Sequence, residues 1–200
     1  MAHQTVIGIT GARSLNAAQL ATVQDITRQA ARVGSVYTGC ATGADAAALA
    51  AANIHAHCFA VGESNGAGFP GRGLPPHIIA AVKWENKITW LAGGPLSVPL
   101  VARLARRSLA MVRALALAGG ARVAFPASPR PPRYFGPGPF PSCGSGTWAT
   151  VAAAARLSVP VFVVWPVAPS AVLPTAGAWV QATLFGVACW AFVPAARKML

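Results

Sequence analysis

The stretch Ser35-Val36-Tyr37-Thr38-Gly39-Cys40-Ala41-Thr42-Gly43-Ala44-Asp45 decides the fold. It opens with a short apolar run that predicts a buried strand, residues 35–38, and continues into a turn bounded by two glycines. An alanine-rich segment, residues 45–54, then predicts a helix, and residues 57–61 form another strand-like run. A strand, a glycine turn, a helix and a second strand therefore follow one another.

The residues before this stretch repeat the same order. A β-branched run over residues 5–10 ends at Gly11, and Asn16 is placed to cap a helix that Gly34 ends. Apolar residues at helical spacing support this helix, namely Leu20, Val23, Ile26 and Ala30. The order βαβαβ predicts an α/β fold with a doubly wound, mainly parallel, Rossmann-like sheet.

The second half extends this sheet. We expect helices over residues 77–91 and 98–118, a strand over 121–125, a helix over 148–157 and a strand over 159–165. Residues 62–76 and 126–143 are rich in glycine or proline and are predicted to be loops. Two hundred residues suit one well-buried core, so we interpret residues 1–200 as a single domain.

The carboxyl-terminal part carries no charge between Arg156 and Arg197. Its length is close to that of a membrane span, but polar Gln181 and Thr183 alternate with apolar residues, and Phe185-Gly186 offers a turn. We therefore predict a β-hairpin over about residues 175–194 and no membrane partner. The first residues do not resemble a secretory signal, which makes a cytoplasmic location the expectation.

The charge of the chain favours an anionic partner. Sixteen Lys and Arg residues oppose four acidic residues, giving a net charge of +12, and no acidic residue follows Glu85. A nucleotide, a nucleic acid and an acidic protein all remain open on this evidence. Within the predicted helix 98–118, four arginines fall on one third of the circumference and form a candidate nucleic-acid-binding stripe: Arg103, Arg106, Arg107 and Arg113.

Three glycine turns between strands and helices are candidate phosphate sites. Glycine lets a backbone approach a phosphate closely, and a helix start adds unpaired N–H groups and partial positive charge. In an open parallel sheet, all three turns lie at the carboxyl ends of the strands, where ligands bind. The candidate residues are Gly11, Ala12, Arg13, Gly39, Gly43, Asp45, Gly144, Ser145, Gly146 and Thr147.

These turns together resemble the SMF/DprA and lonely-guy (SLOG) superfamily. The resemblance covers about residues 5–165, and its most specific part is the second turn, which is similar to the G-x-A-x-G-x-D-x-x-A pattern of DNA-processing protein A. The resemblance implies a modified Rossmann fold that binds nucleotides or single-stranded DNA, and self-association, with a dimer as the default. No cofactor is implied.

The sequence departs from this superfamily in two motifs. Lonely-guy phosphoribohydrolases use a G-G-x-G-T-x-x-E motif, and Thr150 stands at the glutamate position. A threonine cannot supply the carboxylate that glycoside cleavage usually needs, so the chain is expected to bind rather than catalyse. The R-N-R-x-I motif of the DNA-processing branch is only partly matched, by residues 106–109.

Several residues allow two interpretations of their role. Asp45 either caps its helix or contacts a ligand, and Arg13 either contacts a phosphate or a base or is simply solvated. Trp148, beside the third turn, is the best candidate for stacking on a base, against packing in the core. His55, His57 and His77 lack partners at ligand spacing, so no metal site is expected.

Three functions follow from these patterns. The leading hypothesis is a protein that binds a nucleotide or single-stranded nucleic acid through the three turns and the arginine stripe. The second is a nucleotide-processing hydrolase whose acid would have to be Asp45 or Glu85. The third is a self-assembling structural protein in which a second subunit covers the edge of the carboxyl-terminal hairpin.

Overall fold

The computed structural model describes residues 5–71 and 73–195. Its strands are β1 (Thr5–Gly11), β2 (Gly34–Thr38), β3 (Ala56–Phe59), β4 (Lys87–Thr89), β5 (Ala121–Phe125), β6 (Val161–Val163), β7 (Gly177–Leu184) and β8 (Val187–Pro194). Its helices are α1 (Ala17–Val33), α2 (Ala44–Ala52), α3 (Pro76–Lys83), α4 (Leu100–Leu117) and α5 (Gly146–Arg156).

All eight strands belong to one sheet, in the order β4-β3-β2-β1-β5-β6-β8-β7. The first six strands in this order are parallel to one another, and β1 is central, pairing Gly8 with Tyr37 on β2 and with Arg122 on β5. The last two strands are antiparallel. The predicted α/β fold, a doubly wound and mainly parallel sheet with a carboxyl-terminal hairpin, is confirmed.

Helices cover the sheet on both faces. Helices α1, α2 and α3 bury Val23, Leu49 and Ile78 against one face, where Ile7, Ile9 and Val123 point. Helices α4 and α5 bury Leu115 and Val151 against the other face. This alternation follows from the pleat, because successive residues of a strand point to opposite faces. The chain therefore switches faces between β1, which leads into α1, and β5, which leads into α5.

The start of α1 is fixed by a capping box. The Asn16 side chain accepts a hydrogen bond from the Gln19 N–H at 2.9 Å, and the Gln19 side chain accepts one from the Asn16 N–H at 3.0 Å. Two of the N–H groups that a helix start leaves without partners are thereby satisfied. The predicted cap at Asn16 is confirmed.

The helix predicted over residues 77–91 is wrong in its second half. Helix α3 ends at Lys83, where Glu85 adopts the left-handed conformation with φ 57° and the Asn86 N–H donates to the Ala81 carbonyl at 3.0 Å. Such a closure ends a helix, usually with glycine at the left-handed position. The chain then forms the short edge strand β4 instead of more helix.

The hairpin is present where the alternation of polar and apolar residues predicted it. Phe185 and Gly186 form its turn, both with positive φ (49° and 79°), as two-residue hairpin turns of type I′ require. Strand β8 pairs with β6, and β7 ends the sheet. Over the ranges given above, no helix is long and apolar enough to cross a membrane.

Candidate functional site

The carboxyl edge of the sheet has a topological switch point between β1 and β5. The chain leaves these neighbouring strands toward opposite faces, into α1 after β1 and, through the loop 126–145, into α5 after β5. In open α/β sheets such a switch point is where ligands bind. The first and third glycine turns therefore flank the point at which the fold favours a ligand.

The first and second turns contact each other directly. The Ala44 N–H donates to the Ala12 carbonyl at 3.2 Å, and the Ala12 N–H donates to the Phe125 carbonyl at 2.8 Å. Gly43 has φ 74°, and a Cβ there would lie 2.5 Å from the Arg13 carbonyl oxygen. The second turn needs glycine because the first turn packs against its backbone, so these two predicted sites form one structural unit.

The third turn presents backbone to solvent. Ser145 caps α5 by accepting a hydrogen bond from the Trp148 N–H at 3.3 Å. Gly144 and Gly146 are exposed, and a Cβ at Gly146 would meet no heavy atom within 4 Å. Thr147 is buried. The open part of this predicted site is thus its two glycines.

Asp45 has neither of the roles predicted for it. Its side chain is buried, and helix α2 starts at Gly43 without any side-chain cap. One carboxylate oxygen, Oδ2, accepts hydrogen bonds from the Ala41 N–H at 3.2 Å and from Arg107 Nη1 at 3.3 Å. Asp45 therefore holds the second turn to helix α4 and does not face a ligand.

The predicted arginine stripe on α4 is wrong as an exposed surface. Arg106 and Arg113 are exposed, but Arg103 and Arg107 are only 6% and 5% exposed. Helical spacing explains the error, since buried Met111 lies four residues from Arg107 and hence on the same face. Two of the four arginines belong to the packed side of the helix.

Arg103 anchors the loop that follows β3. Its guanidinium donates to the carbonyls of Val61 at 2.7 Å, Gly68 at 3.1 Å and Val98 at 3.0 Å. Each of these hydrogen bonds replaces water around a buried cation. An interior arginine therefore holds the start of this loop, from Val61 to Gly68.

Arg107 fits inside because Gly39 has no side chain. A Cβ at Gly39 would lie 2.6 Å from Arg107 Cζ, so the guanidinium occupies the space of the missing side chain. Burial by itself lowers the pKa of Arg107, but nearby groups that include the Asp45 carboxylate outweigh burial, and its pKa is raised. Gly39 is thus a packing residue beneath the second turn.

Exposed positive charge at the carboxyl edge comes from other arginines. Arg13 lies in the first turn, and Arg130 and Arg133 lie in the loop after β5; all three are exposed. The sequence shows the last two only as members of a proline-rich loop. One pattern in the sequence could have indicated them as candidate binding residues. The two arginines flank a Pro-Pro pair in the segment that follows β5, the strand next to β1.

This loop is irregular but well connected. The Arg133 N–H donates to the Cys143 carbonyl at 3.1 Å, and the Gly136 N–H donates to the Ser142 carbonyl at 2.8 Å. The indole of Trp148 donates to the Ser128 carbonyl at 3.1 Å. Because hydrogen bonds tie it to itself and to α5, the loop can hold its arginines in fixed positions.

Trp148 packs in the core, which is one of the two alternatives that the sequence left open, and not against solvent as stacking on a base would require. Only 1% of it is exposed, and its ring packs edge-on against Trp179 with centroids 6.1 Å apart. A tryptophan whose N–H is satisfied and whose ring is enclosed has no face left for a ligand. It joins α5 to the carboxyl-terminal hairpin.

Thr150 also points into the protein. It is 1% exposed, and its hydroxyl donates to the Gly146 carbonyl at 2.7 Å within α5. Glu85, one of the two acids considered for catalysis, lies just before β4 at the amino-terminal edge of the sheet, opposite the glycine turns. The other acid, Asp45, is paired with Arg107.

The histidines make separate contacts. His57 Nε2 lies 2.7 Å from Thr89 Oγ1, and burial, with a smaller effect of Lys87, lowers the pKa of His57 to about 4. His77 Nε2 donates to the Cys40 carbonyl at 3.0 Å. In the part of the chain that the structure describes, no three His, Cys, Asp or Glu residues are grouped as metal ligands, and the four cysteines are buried thiols.

Two solved structures share this fold. DNA-processing protein A from Helicobacter pylori, studied for its single-stranded DNA binding mode, matches with a TM-score of 0.54 and 16% identity over 80% of this chain. DNA-processing protein A from Streptococcus pneumoniae matches with a TM-score of 0.57 and 14% identity over 82%. The resemblance seen in the glycine turns is thereby confirmed at the level of the fold.

The similarity has clear bounds. The chain spans 65% of the first of these proteins and 51% of the second. No protein-family model matches the sequence. A comparison with curated proteins found no match either.

Proposed function

We propose that this protein binds single-stranded nucleic acid along the carboxyl edge of its sheet. The observation that carries the proposal is the position of three exposed arginines, Arg13, Arg130 and Arg133, on the two loops that leave β1 and β5. Neither loop, residues 12–16 or 126–145, contains an acidic residue. A phosphate backbone neutralises such a group of cations and releases counterions as it binds.

The third turn would add backbone contacts to these charges. The first N–H groups of a helix have no partner within it, and the partial positive charge of the helix start favours an anion. Gly144 and Gly146 leave this end of α5 open to solvent. A phosphate that lies between Arg133 and the start of α5 would receive both kinds of contact.

The fold supports nucleic acid over a small nucleotide. Of the two solved proteins compared above, the one from Helicobacter pylori is described as binding single-stranded DNA. Three arginines spread over two loops suit several consecutive phosphates better than the phosphates of one nucleotide. Exposed Arg106, near the start of α4, is a further candidate contact.

The proposal gives different roles to the predicted site residues. Gly11, Ala12, Gly39 and Gly43 shape the edge by close packing of the first two turns. The interior side chains, Asp45, Arg103 and Arg107, hold the loops in place and are not expected to touch the ligand. Arg113 lies in the half of α4 nearer the amino-terminal edge and is expected to contribute little.

The test is binding of labelled oligo(dT) at low salt, measured by fluorescence anisotropy. Replacing Arg13, Arg130 and Arg133 by Gln should weaken binding by about tenfold or more and reduce the slope of log K against log salt. The matched control replaces three exposed arginines away from this edge, Arg28, Arg32 and Arg113, so that the net charge changes equally. Equal losses in both variants, or no binding by the native protein, would overturn the proposal.

The hydrolase alternative loses both of the acids that the sequence offered for it. Thr150 occupies the position expected for glutamate and is enclosed, while Asp45 is paired inside and Glu85 lies at the other edge of the sheet. Cleavage of a glycosidic bond usually requires two carboxyl groups beside it. No second proposal is made for catalysis.

Self-association through the hairpin is a second proposal with its own observation. Strand β7 ends the sheet and contains neither a charge nor a proline, the features that usually block an exposed edge. Elsewhere the chain carries +12, so two copies would repel least at the uncharged hairpin. We propose that two copies pair antiparallel through β7, as an isologous contact.

Sedimentation velocity would test this pairing. Val180→Lys places a charge on β7 and should shift a dimer toward the monomer, whereas Val172→Lys, at an 86% exposed site outside the strand, should not. A native protein that sediments as a monomer at high concentration would contradict the proposal.

A further inference from the structure

A cleft of about 450 Å³ lies beside the first turn and is not used by the function proposed above. It is bounded by the start of α1, the ends of β5 and β6, and the first residues of β8. Its volume is within the range of about 300 to 1,000 Å³ typical of small-ligand sites. It opens at the same edge of the sheet as the three glycine turns.

The wall of this cleft has no charged side chain, although the protein carries +12. Three aromatic residues contribute to it, Phe125, Trp165 and Trp190. Its polar side chains are neutral, chiefly the amides of Asn16, Gln19 and Gln181. This combination disfavours a phosphate and suits a flat, uncharged ring with polar atoms at its rim.

The capping box sets what two of these amides can offer. The side-chain oxygen of Asn16 accepts from the Gln19 N–H, and the side-chain oxygen of Gln19 accepts from the Asn16 N–H. Each oxygen thus accepts one hydrogen bond from the other residue, and both NH₂ groups lie outside this pair of bonds. The two amides can therefore donate to acceptor atoms at the rim of a ring.

The cleft lies next to the first turn, which carries Arg13. Phe125 lines the cleft, and its carbonyl accepts the hydrogen bond of Ala12, the residue before Arg13. A strand whose phosphate rests on Arg13 would carry its base within reach of this cleft. Resting on the function proposed above, we infer that the cleft receives an unpaired nucleobase.

Two oligomers of equal charge test this inference. Oligo(dT) and an oligomer of the same length made of abasic sites have the same phosphates, so the edge arginines treat them alike. The native protein should bind oligo(dT) at least about tenfold more tightly than the abasic oligomer. Because the difference comes from a neutral group, the ratio should change little with salt.

One substitution isolates the amide donors. Asn16→Ser keeps an oxygen that can cap α1 but removes the NH₂ group, and it should lower the preference for oligo(dT) several-fold while leaving the affinity for the abasic oligomer unchanged. The matched control is Gln24→Ala, which removes an amide of α1 outside the cleft. The control should behave like the native protein.

The outcomes separate the two proposals. Equal affinity of the native protein for oligo(dT) and the abasic oligomer would overturn the base site and leave the phosphate edge standing. A preference for oligo(dT) that Asn16→Ser leaves unchanged would overturn the role of the amide donors. Absence of binding to every oligomer at low salt would overturn the proposed function, and this inference with it.

Discussion

The carboxylate of Asp45 and the guanidinium of Arg107 lie 3.3 Å apart, and both side chains are buried. Asp45 lies in the first turn of helix α2, and Arg107 lies on α4, on the other face of the sheet. The pair therefore joins the two helical layers at the second glycine turn. An acid that looks from the sequence like part of a ligand site is a structural link between them.

This pair should dominate stability at the second turn. Asp45→Asn leaves a buried guanidinium without its counter-charge and should destabilise the fold by about 3 to 5 kcal/mol, as breaking one side of a buried pair does. The double variant that also carries Arg107→Met should lose much less stability than the sum of the losses in the two single variants. Urea unfolding of all three variants measures the coupling.

The exposed ion pair of Asp25 and Arg28 is the control for this double-mutant cycle. Asp25→Asn removes a surface ion pair and should cost no more than about 1 kcal/mol. Additive losses in the Asp45 and Arg107 cycle would show that the two side chains are not coupled.

The regular elements were predictable because each left a local pattern. The β-branched run before Gly11, the cap at Asn16 and the turn at Phe185-Gly186 act through residues close in sequence. Strand β4 was missed because it has three residues and its position depends on pairing with β3, a long-range contact. The end of α3 at a left-handed glutamate also gives no signal, since glycine usually fills that position.

The candidate site was predicted less well, for a reason that lies in the packing. Helical spacing gives the face on which an arginine lies, but burial depends on the space that the sheet provides. Gly39 provides that space for Arg107, and Gly8 for Arg122. A glycine within a strand and an arginine far along the chain become partners only when the sheet order is known. The role of the exposed arginines in the loop after β5 was equally hard to predict from the sequence. It depends on the position of β5 beside β1 in the sheet.

Arg122 should destabilise the protein. It is fully buried above Gly8, and its Nε, Nη1 and Nη2 atoms have no hydrogen-bond partner within the described residues. Burial, which outweighs the opposing effect of Asp45, lowers its pKa to about 9. Arg122→Met fills a similar volume without charge and should raise the free energy of unfolding at pH 7 by about 1 to 4 kcal/mol.

The pH dependence of this effect has a definite sign. The folded pKa of about 9 lies below that of an exposed arginine, so above pH 9 the folded state releases its proton before the unfolded state does and the penalty becomes smaller. The difference in the free energy of unfolding between Arg122→Met and the native protein should become smaller as the pH rises through 9. A destabilised Arg122→Met variant at pH 7 would mean that the guanidinium has a favourable partner in solution.

His57 should make the protein less stable in mild acid. Its folded pKa of about 4 lies below the value of about 6.5 expected when unfolded, so the unfolded state takes up the proton first between these two values. Lowering the pH from 7 to 5 should cost the native protein about 1 kcal/mol more than His57→Gln, after allowance for partial exposure. Parallel pH profiles from urea unfolding would contradict a depressed pKa.

Gly11 and Gly146 should respond oppositely to alanine. At Gly11 a Cβ would lie 2.5 Å from the Ala44 Cβ and 2.9 Å from the Phe125 Cβ, so Gly11→Ala should destabilise the fold by about 1 to 3 kcal/mol. At Gly146, in the first turn of α5, a Cβ meets nothing within 4 Å, and alanine is the better helix former. Gly146→Ala should leave the melting temperature unchanged or raise it.

Gly146 therefore separates binding from folding. A methyl group there projects into the space that a phosphate would occupy at the start of α5, and oligo(dT) should bind about tenfold more weakly to Gly146→Ala while the fold is intact. Anisotropy and thermal unfolding on the same preparation measure both effects. Gly119→Ala, at an exposed glycine of the amino-terminal edge before β5, is a control for binding alone, because its φ of 63° disfavours alanine and should lower its melting temperature. Unchanged affinity in Gly146→Ala would remove the third turn from the site and leave the edge arginines as its only phosphate contacts.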